Sequence, residues 1–303
     1  MSDPAPSLQS KLLVWADGNL RDLPWRRTRD PWAVMVAETM LQQTQVSRVE
    51  DRWERFLRRF PDPASCAGAP PAELLREWAG LGYNRRALML HRAATVIRDD
   101  HGGTVPSDLS ALVALPGVGP YTARAVRAFA FEVEAAPVDT NIGRVLARLG
   151  GQRLGPADAQ RLADSLVPVD SVWRWNQGIM ELGARVCVKR NLACGGCPVA
   201  ASCRWRGCGP DPAEGSAAVS RPQAPFAGSD RQLRGRLIDA LRDGRRSVDE
   251  VGRVMSIDDE ARCRRILDRL LADGLIESDG RWFFLPGDGQ DGPVNDASNA
   301  SIA

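Results

Sequence analysis

Lysine is almost missing from this chain: Lys11 and Lys189 are the only two in 303 residues, so arginine carries nearly all the positive charge. Chemistry that needs a lysine amine, such as Schiff-base formation with a sugar, has only those two positions to draw on. Histidine is equally scarce, limited to His91 and His101. No apolar run approaches the roughly 20 residues that span a bilayer. The N-terminal MSDPAPSLQS has neither a basic region nor an apolar stretch, so the expectation is a cytoplasmic protein with no membrane partner. A net charge of +2 is too small to announce nucleic acid, although Arg26, Arg27 and Arg29 can make a local positive surface. Strand-like alternation is hard to find up to about residue 186.

Helical spacing is there instead. Apolar residues recur as Leu12, Leu13, Trp15 and Leu20, then Trp53, Phe56, Leu57 and Phe60, while Pro24, Pro31, Pro61, Pro63, Pro70, Pro106, Pro116, Pro137 and Pro156 each break or begin a segment. The expected body, residues 1–206, is therefore all-α and built of many short helices. Residues 207–229 are rich in Gly, Pro, Ser and Ala and read as a linker. Three helical patterns follow, carried by Leu233, Leu237 and Leu241, by Val248, Val251 and Val254, and by Cys263, Ile266, Leu267, Leu270 and Leu271. An alternating pair around Leu275–Ile276 and Trp282–Phe284 then predicts a terminal hairpin. Together they predict a small winged-helix-like domain over 230–287, with a tail at 288–303 too polar to order itself.

Seven cysteines is an odd number, and Cys66 and Cys263 stand alone. Cys187, Cys194, Cys197 and Cys203 are spaced C-x6-C-x2-C-x5-C, with Cys208 outside the pattern. Such crowding predicts metal ligation rather than disulfides, Gly195 and Gly196 allowing a tight turn. Cysteine number alone leaves zinc and a four-iron cluster both open. Lys189, Arg190, Arg204 and Arg206 flank the loop and could meet phosphate.

LPGVGPYTA, Leu115 to Ala123, sets Gly117 and Gly119 between two helical segments, a hairpin that can aim backbone N–H groups at an anion. Glu38 shares a helical face with Val34, Met35, Leu41 and Gln42, where desolvation would raise its pKa and favour the protonated acid. Asp139 precedes a helical run beginning near Ile142, so helix N–H groups would be expected to keep it ionised. One acid and one carboxylate are thus set apart by environment.

From about residue 10 to 206 these motifs, in this order, resemble the helix-hairpin-helix DNA glycosylases of the MutY adenine-specific type, with the cysteine spacing of the endonuclease III cluster loop. The resemblance implies a two-lobed helix-hairpin-helix fold and a [4Fe–4S] cluster on Cys187, Cys194, Cys197 and Cys203. It implies catalysis by Glu38 and Asp139 with Tyr121 and Asn141, and a hairpin at Gly117 and Gly119 that grips DNA without reading sequence. Gln43 would enter the duplex, Tyr83 would wedge the bases apart, and Trp25, Arg26, Leu41 and Glu181 would border the base pocket.

Two departures stand out. Val138-Asp139-Thr140-Asn141 has threonine where the adenine enzymes usually carry glycine. The family's β-rich C-terminal sensor with its Phe-Ser-His loop is absent, both histidines lying upstream. The expectation is a monomeric, monofunctional adenine glycosylase of base excision repair acting on double-stranded DNA with A:8-oxoguanine or A:G mispairs, Tyr121 standing where strand-cleaving relatives place lysine. The alternatives are a thymine or uracil mismatch glycosylase, or a non-enzymatic iron–sulfur DNA-binding regulator.

Overall fold

The computed structural model describes residues 7–216 and 225–290. Its helices are α1 (Leu8–Asp17), α2 (Pro31–Leu41), α3 (Val46–Arg59), α4 (Pro63–Gly68), α5 (Pro71–Glu77), α6 (Arg85–Asp100) and α7 (Leu109–Ala114). There follow α8 (Pro120–Ala130), α9 (Thr140–Gly150), α10 (Pro156–Leu166), α11 (Val172–Arg185), α12 (Asp230–Arg242), α13 (Val251–Met255) and α14 (Glu260–Ala272). Three short strands, β1 (Arg246–Ser247), β2 (Glu277–Ser278) and β3 (Trp282–Phe284), complete the C-terminal part. The expected mostly helical architecture is what is found, and no helix among the described residues is long and apolar enough to cross a membrane.

The chain divides into two compact units, 1–39 with 105–222, and 40–104 with 223–303. In the first, α11 is the central element and lies against α1, α8 and α9. The contact of α11 with α9 is close because Gly183 has no side chain: a Cβ there would come within 2.9 Å of Asn141 Cβ and 3.1 Å of Asn141 O. Gly117, at φ +76°, makes the left-handed turn between α7 and α8 that a Cβ would strain. Pro120 then opens α8, where its missing N–H costs no helix bond.

In the second unit, Phe56, Phe60 and Trp78 are fully buried, with ring centroids 4.9 Å apart for Phe56–Phe60 and 6.0 Å for Phe56–Trp78. The C-terminal helices bury Leu233, Leu237, Leu241, Ile266 and Leu270, and the sheet is ordered β1-β3-β2 and entirely antiparallel, pairing Arg246 with Phe283 and Glu277 with Phe284. The expected hairpin is present, with its first strand two residues later than the Leu275–Ile276 pattern, whose side chains are buried. Sequence reading missed β1, which is too short to show a period of two. Val248 lies outside α13 and is exposed, so its place in the second helical pattern is corrected.

The C-terminal segment sits on α5 and the start of α6. Arg242 donates to Leu75 O at 2.8 Å and Asn84 Oδ1 at 2.9 Å, Arg76 pairs with Asp288 at 2.5 Å, and Ala72 N donates to Pro286 O at 2.9 Å. The segment read as a linker is docked at its start: Asp211 binds Arg148 at 2.6 Å, and buried Ser216 accepts from Leu154 N at 3.2 Å. Small residues suit such docking because they let backbone approach backbone. Positions 217–224 of that linker and 291–303 of the expected tail lie outside the described residues.

Candidate active site

Glu38 is set near the C-terminal end of α2 by an almost wholly apolar helix: Val34, Met35, Val36, Ala37 and Met40 around it are all buried. Burial is the main reason its carboxyl is pushed up to about 7, and the nearby Asp139 adds to this. The Tyr121 hydroxyl, which donates a hydrogen bond to Glu38, and the Arg26 guanidinium pull the other way. A carboxyl poised there is part protonated at neutral pH, the state a general acid needs.

Asp139 is the N-cap of α9, as expected. Its Oδ1 accepts from Ile142 N at 2.7 Å and its Oδ2 from Asn141 Nδ2 at 3.2 Å. The expectation that the cap holds its pKa down is corrected: burial pushes it above the usual aspartate range, and the bonds from Ile142 and Asn141 with the Arg144 charge only oppose that shift. The sequence pattern displays the cap but not the depth of burial. Asn141 is fixed in turn, its Oδ1 accepting from Arg144 Nη2 at 2.9 Å, while the same guanidinium binds Gly183 O at 2.6 Å and Cys187 O at 2.8 Å.

Tyr121 lies in the first turn of α8, and its own pKa is raised far above normal by burial and by both carboxylates, so it stays a phenol that can donate to Glu38. Gly119 is the N-cap of α8, and nothing lies within 4 Å of where its Cβ would be, which leaves the helix N-terminus open to an anion.

Trp25 and Arg26 lie on a 3-10 turn, Trp25 buried. Arg26 binds Gln177 Oε1 at 2.7 Å, Arg21 O at 2.9 Å and Glu181 Oε2 at 2.9 Å. Glu181 is wholly buried and also accepts from Arg21 Nε at 2.7 Å. With no exposed surface, it has one oxygen engaged by Arg21 and the other by Arg26. Arg21 and Gln177 were missed by sequence reading. Gln177 lies one turn before Glu181 on α11, and that spacing was the available signal.

The four expected ligand cysteines line one cavity, with Arg148, Val186, Ala200, Trp205 and Arg206. Fully buried Arg148 donates to Cys187 Sγ at 3.4 Å and Val188 O at 2.8 Å, and lies 4.7 Å from the Trp205 ring centroid. Arg206 N donates to Cys203 Sγ at 3.4 Å. Among the described residues no three His, Cys, Asp or Glu side chains are placed to hold one metal ion, although four thiols share this cavity.

Leu41, Gln43 and Tyr83 belong to the second unit. Gln43 and Tyr83 are exposed and both adopt left-handed backbone, φ +57° and +46°, a costly conformation for residues other than glycine. Arg86, unnoticed in the sequence, joins their loops. Its guanidinium donates to Met40 O (2.9 Å), Gln42 O (2.5 Å), Thr44 Oγ1 (3.0 Å), Leu81 O (3.1 Å) and Gly82 O (3.0 Å). Leu41 is half-buried at the end of α2.

Residues 36–168 match the profile of the HhH-GPD superfamily base excision DNA repair proteins. The adenine DNA glycosylase of Mycolicibacterium smegmatis is 45% identical over 290 residues, which covers 93% of this chain and 97% of that one. The chain belongs to the adenine DNA glycosylase family. A coverage of 93% takes in most of the C-terminal segment as well as the helical body of this family member. The solved structure of a thermostable thymine-DNA glycosylase is similar with a TM-score of 0.61 and 31% identity, over 65% of this chain and 94% of that one. An endonuclease III trapped as a covalent intermediate with DNA shares the fold, with a TM-score of 0.59 at 24% identity over 66% and 94% of the two chains.

Proposed function

We propose that the protein hydrolyses the N-glycosidic bond of adenine mispaired with guanine or 8-oxoguanine in duplex DNA. The observation that carries this reading is the pair of carboxyls in the first unit: Glu38, buried and poised near 7 beside the Tyr121 hydroxyl, and Asp139, anchored on the α9 N-terminus. A stacked base is out of reach, so the adenine is first extruded, with Gln43 and Tyr83 entering the duplex. Protonated Glu38 gives its proton to adenine N7, and the C1′–N9 bond breaks with both electrons leaving on the base. The positive charge left on the sugar is stabilised by the Asp139 carboxylate, aimed by Ile142 N and Asn141. Water then adds its oxygen at C1′ and gives its proton to a site carboxylate. A pyrimidine has no N7, so the poised acid favours adenine over the thymine of the similar solved structure.

The cysteine loop fits a [4Fe–4S] cluster better than zinc. One zinc ion draws four sulfurs to about 2.3 Å from a single point, whereas a cluster takes each thiolate on its own iron. Four cysteines lining one cavity suit that second pattern, and Arg148 and Arg206 offer donors to sulfur. Cys187, Cys194, Cys197 and Cys203 would hold the cluster, whose contribution is to cross-link the loop and present it to the phosphate backbone. We propose further that it acts on DNA as a monomer in the cytoplasm.

With Tyr121 where a Schiff-base lysine would stand, the enzyme releases base without efficient strand cleavage. Incubation with A:G and A:8-oxoguanine duplexes tests this: breaks are expected mainly after alkali. Borohydride trapping of the wild-type protein on the cleaved strand would contradict the monofunctional assignment, and no adenine release from either duplex would contradict the proposal itself.

A further inference from the structure

Tyr83 is an exposed aromatic on strained backbone, 39% accessible at φ +46°, yet its ring is held on more than one side. Arg86 lies 5.6 Å from the ring centroid. The other guanidinium comes from 148 residues away: Arg231, in the first turn of α12, lies 6.0 Å from the same centroid, and its Nη1 meets the phenol oxygen at 3.2 Å. Arg231 also lies 5.2 Å from the ring of Phe226, which is 54% exposed. Fixing an Arg side chain costs rotamer freedom that an exposed cation–π contact does not fully return. Such an array on the surface is weakly supported as a stability device. It is better suited to keeping one ring in one orientation.

We propose that Arg231, backed by Phe226, is a positioning residue for Tyr83, so that the C-terminal segment takes part in extruding the base. This rests on the reading of Tyr83 as the residue that wedges the bases apart. The C-terminal segment carries no histidine. What it supplies is a cation that meets the phenol oxygen, while Arg86 binds the carbonyls of the loop. The guanidinium is the right group for both tasks, because one planar cation can stack on a ring and donate in its own plane at once. If Arg231 is lost, Tyr83 keeps its strained backbone and its contact with Arg86 but loses the donor at its phenol oxygen. The cost falls on the step in which stacked bases are parted, not on breaking the glycosidic bond.

That division gives a test that a merely structural role would not pass. Single-turnover adenine release is measured on an A:G duplex and on the same duplex with the adenine opposite an abasic-site analogue, where extrusion needs no pairing to be broken. Arg231→Met is expected to slow the A:G reaction about tenfold, the size set by one cation–π contact and one hydrogen bond. The abasic-opposed reaction should change by less than about twofold, and Arg231→Lys should recover part of the A:G rate because it keeps a donor. Tyr83→Phe combined with Arg231→Met should be less than additive, since both remove the same contact. Should Arg231→Met fail to fold, Arg231→Lys and Phe226→Ala carry the same comparison, with smaller losses confined to A:G. Equal slowing on both substrates, or strict additivity with Tyr83→Phe, would overturn the inference. A Tyr83→Ala variant separates it from the reading beneath it. If Tyr83→Ala is slow on A:G and Arg231→Met is not, only the role of Arg231 fails; if Tyr83→Ala is also unaffected, the wedge itself fails and the inference with it.

Discussion

The carboxylates of the first unit and the Gln43 and Tyr83 loops of the second are built on opposite principles. Around Glu38 the protein removes water and leaves one hydroxyl donor, Tyr121, so that a titratable group is shifted while the backbone stays an ordinary helix. Around Gln43 and Tyr83 the side chains stay exposed and the backbone is forced left-handed, held by the five acceptors that Arg86 gathers. Energy is stored in protonation in one region and in conformation in the other. The first kind should respond to pH and the second to loss of a single guanidinium.

The largest effect that tests this contrast is expected at the carboxylates. Glu38→Gln should slow adenine release about 10²–10⁴-fold, the usual worth of a positioned acid, with duplex binding retained in a mobility-shift assay. The same substitution should stabilise the fold in alkaline buffer. Because burial raises the Glu38 pKa from 4.5 to about 7, the folded state binds the proton more tightly than the unfolded chain does, and stability falls as pH rises from about 4.5 through about 7. Gln removes that loss, so thermal melts at pH 8 should show Glu38→Gln above wild type by at most about 3 kcal/mol. A lower melting temperature at pH 8 would mean that Glu38 is not buried as a charge. Asp139→Asn should also abolish most activity, and its Asn can still cap α9, so little stability should be lost.

The next effect belongs to the loops. Arg86→Met should slow release from A:G about 10- to 100-fold while leaving release from the abasic-opposed duplex nearly intact, since five carbonyl and hydroxyl acceptors lose their shared donor but Glu38 and Asp139 are untouched. Equal slowing on the two substrates would show that Arg86 supports the fold and not the wedge. Smaller in activity is the expected effect of Arg148→Met. It strips buried donors from Cys187 and breaks the pair with Asp211, which should lower iron retention during purification and cost about 3–5 kcal/mol of stability. Iron analysis and melting curves read both, and full iron content with an unchanged melt would show that Arg148 does not support the cysteine loop.

How far the sequence could be read follows the same division. The apolar stripe around Glu38, the cap at Asp139 and the cysteine spacing are local patterns; the first two lie on α2 and at the start of α9, and the third in the loop after α11. What burial does to Asp139 depends on residues from other helices, so a local cap motif predicted the wrong direction of its pKa. Glu181 was legible only through the family resemblance and not as the partner of Arg21 and Arg26, which are some 155 or more positions away. Arg86 and Arg231 were invisible among 38 other charges of the same sign because nothing local marks an arginine that collects carbonyls or stacks on a distant ring. The docked start of the linker was hidden for the same reason, its anchor Asp211 being 63 residues from Arg148.

The central claim is that a buried, protonated Glu38 drives base release, and its pH dependence tests it most directly. Single-turnover adenine release from an A:G duplex at sub-saturating enzyme reports the free enzyme's groups. The rate should fall about tenfold per pH unit above about 7, as Glu38 loses its proton, and should also fall on the acid side as Asp139 gains one, at a pH above the ordinary aspartate range. In Glu38→Gln the residual rate should lose its alkaline limb. A wild-type rate that stays flat from pH 6 to pH 9, or an alkaline limb that survives in Glu38→Gln, would contradict the account.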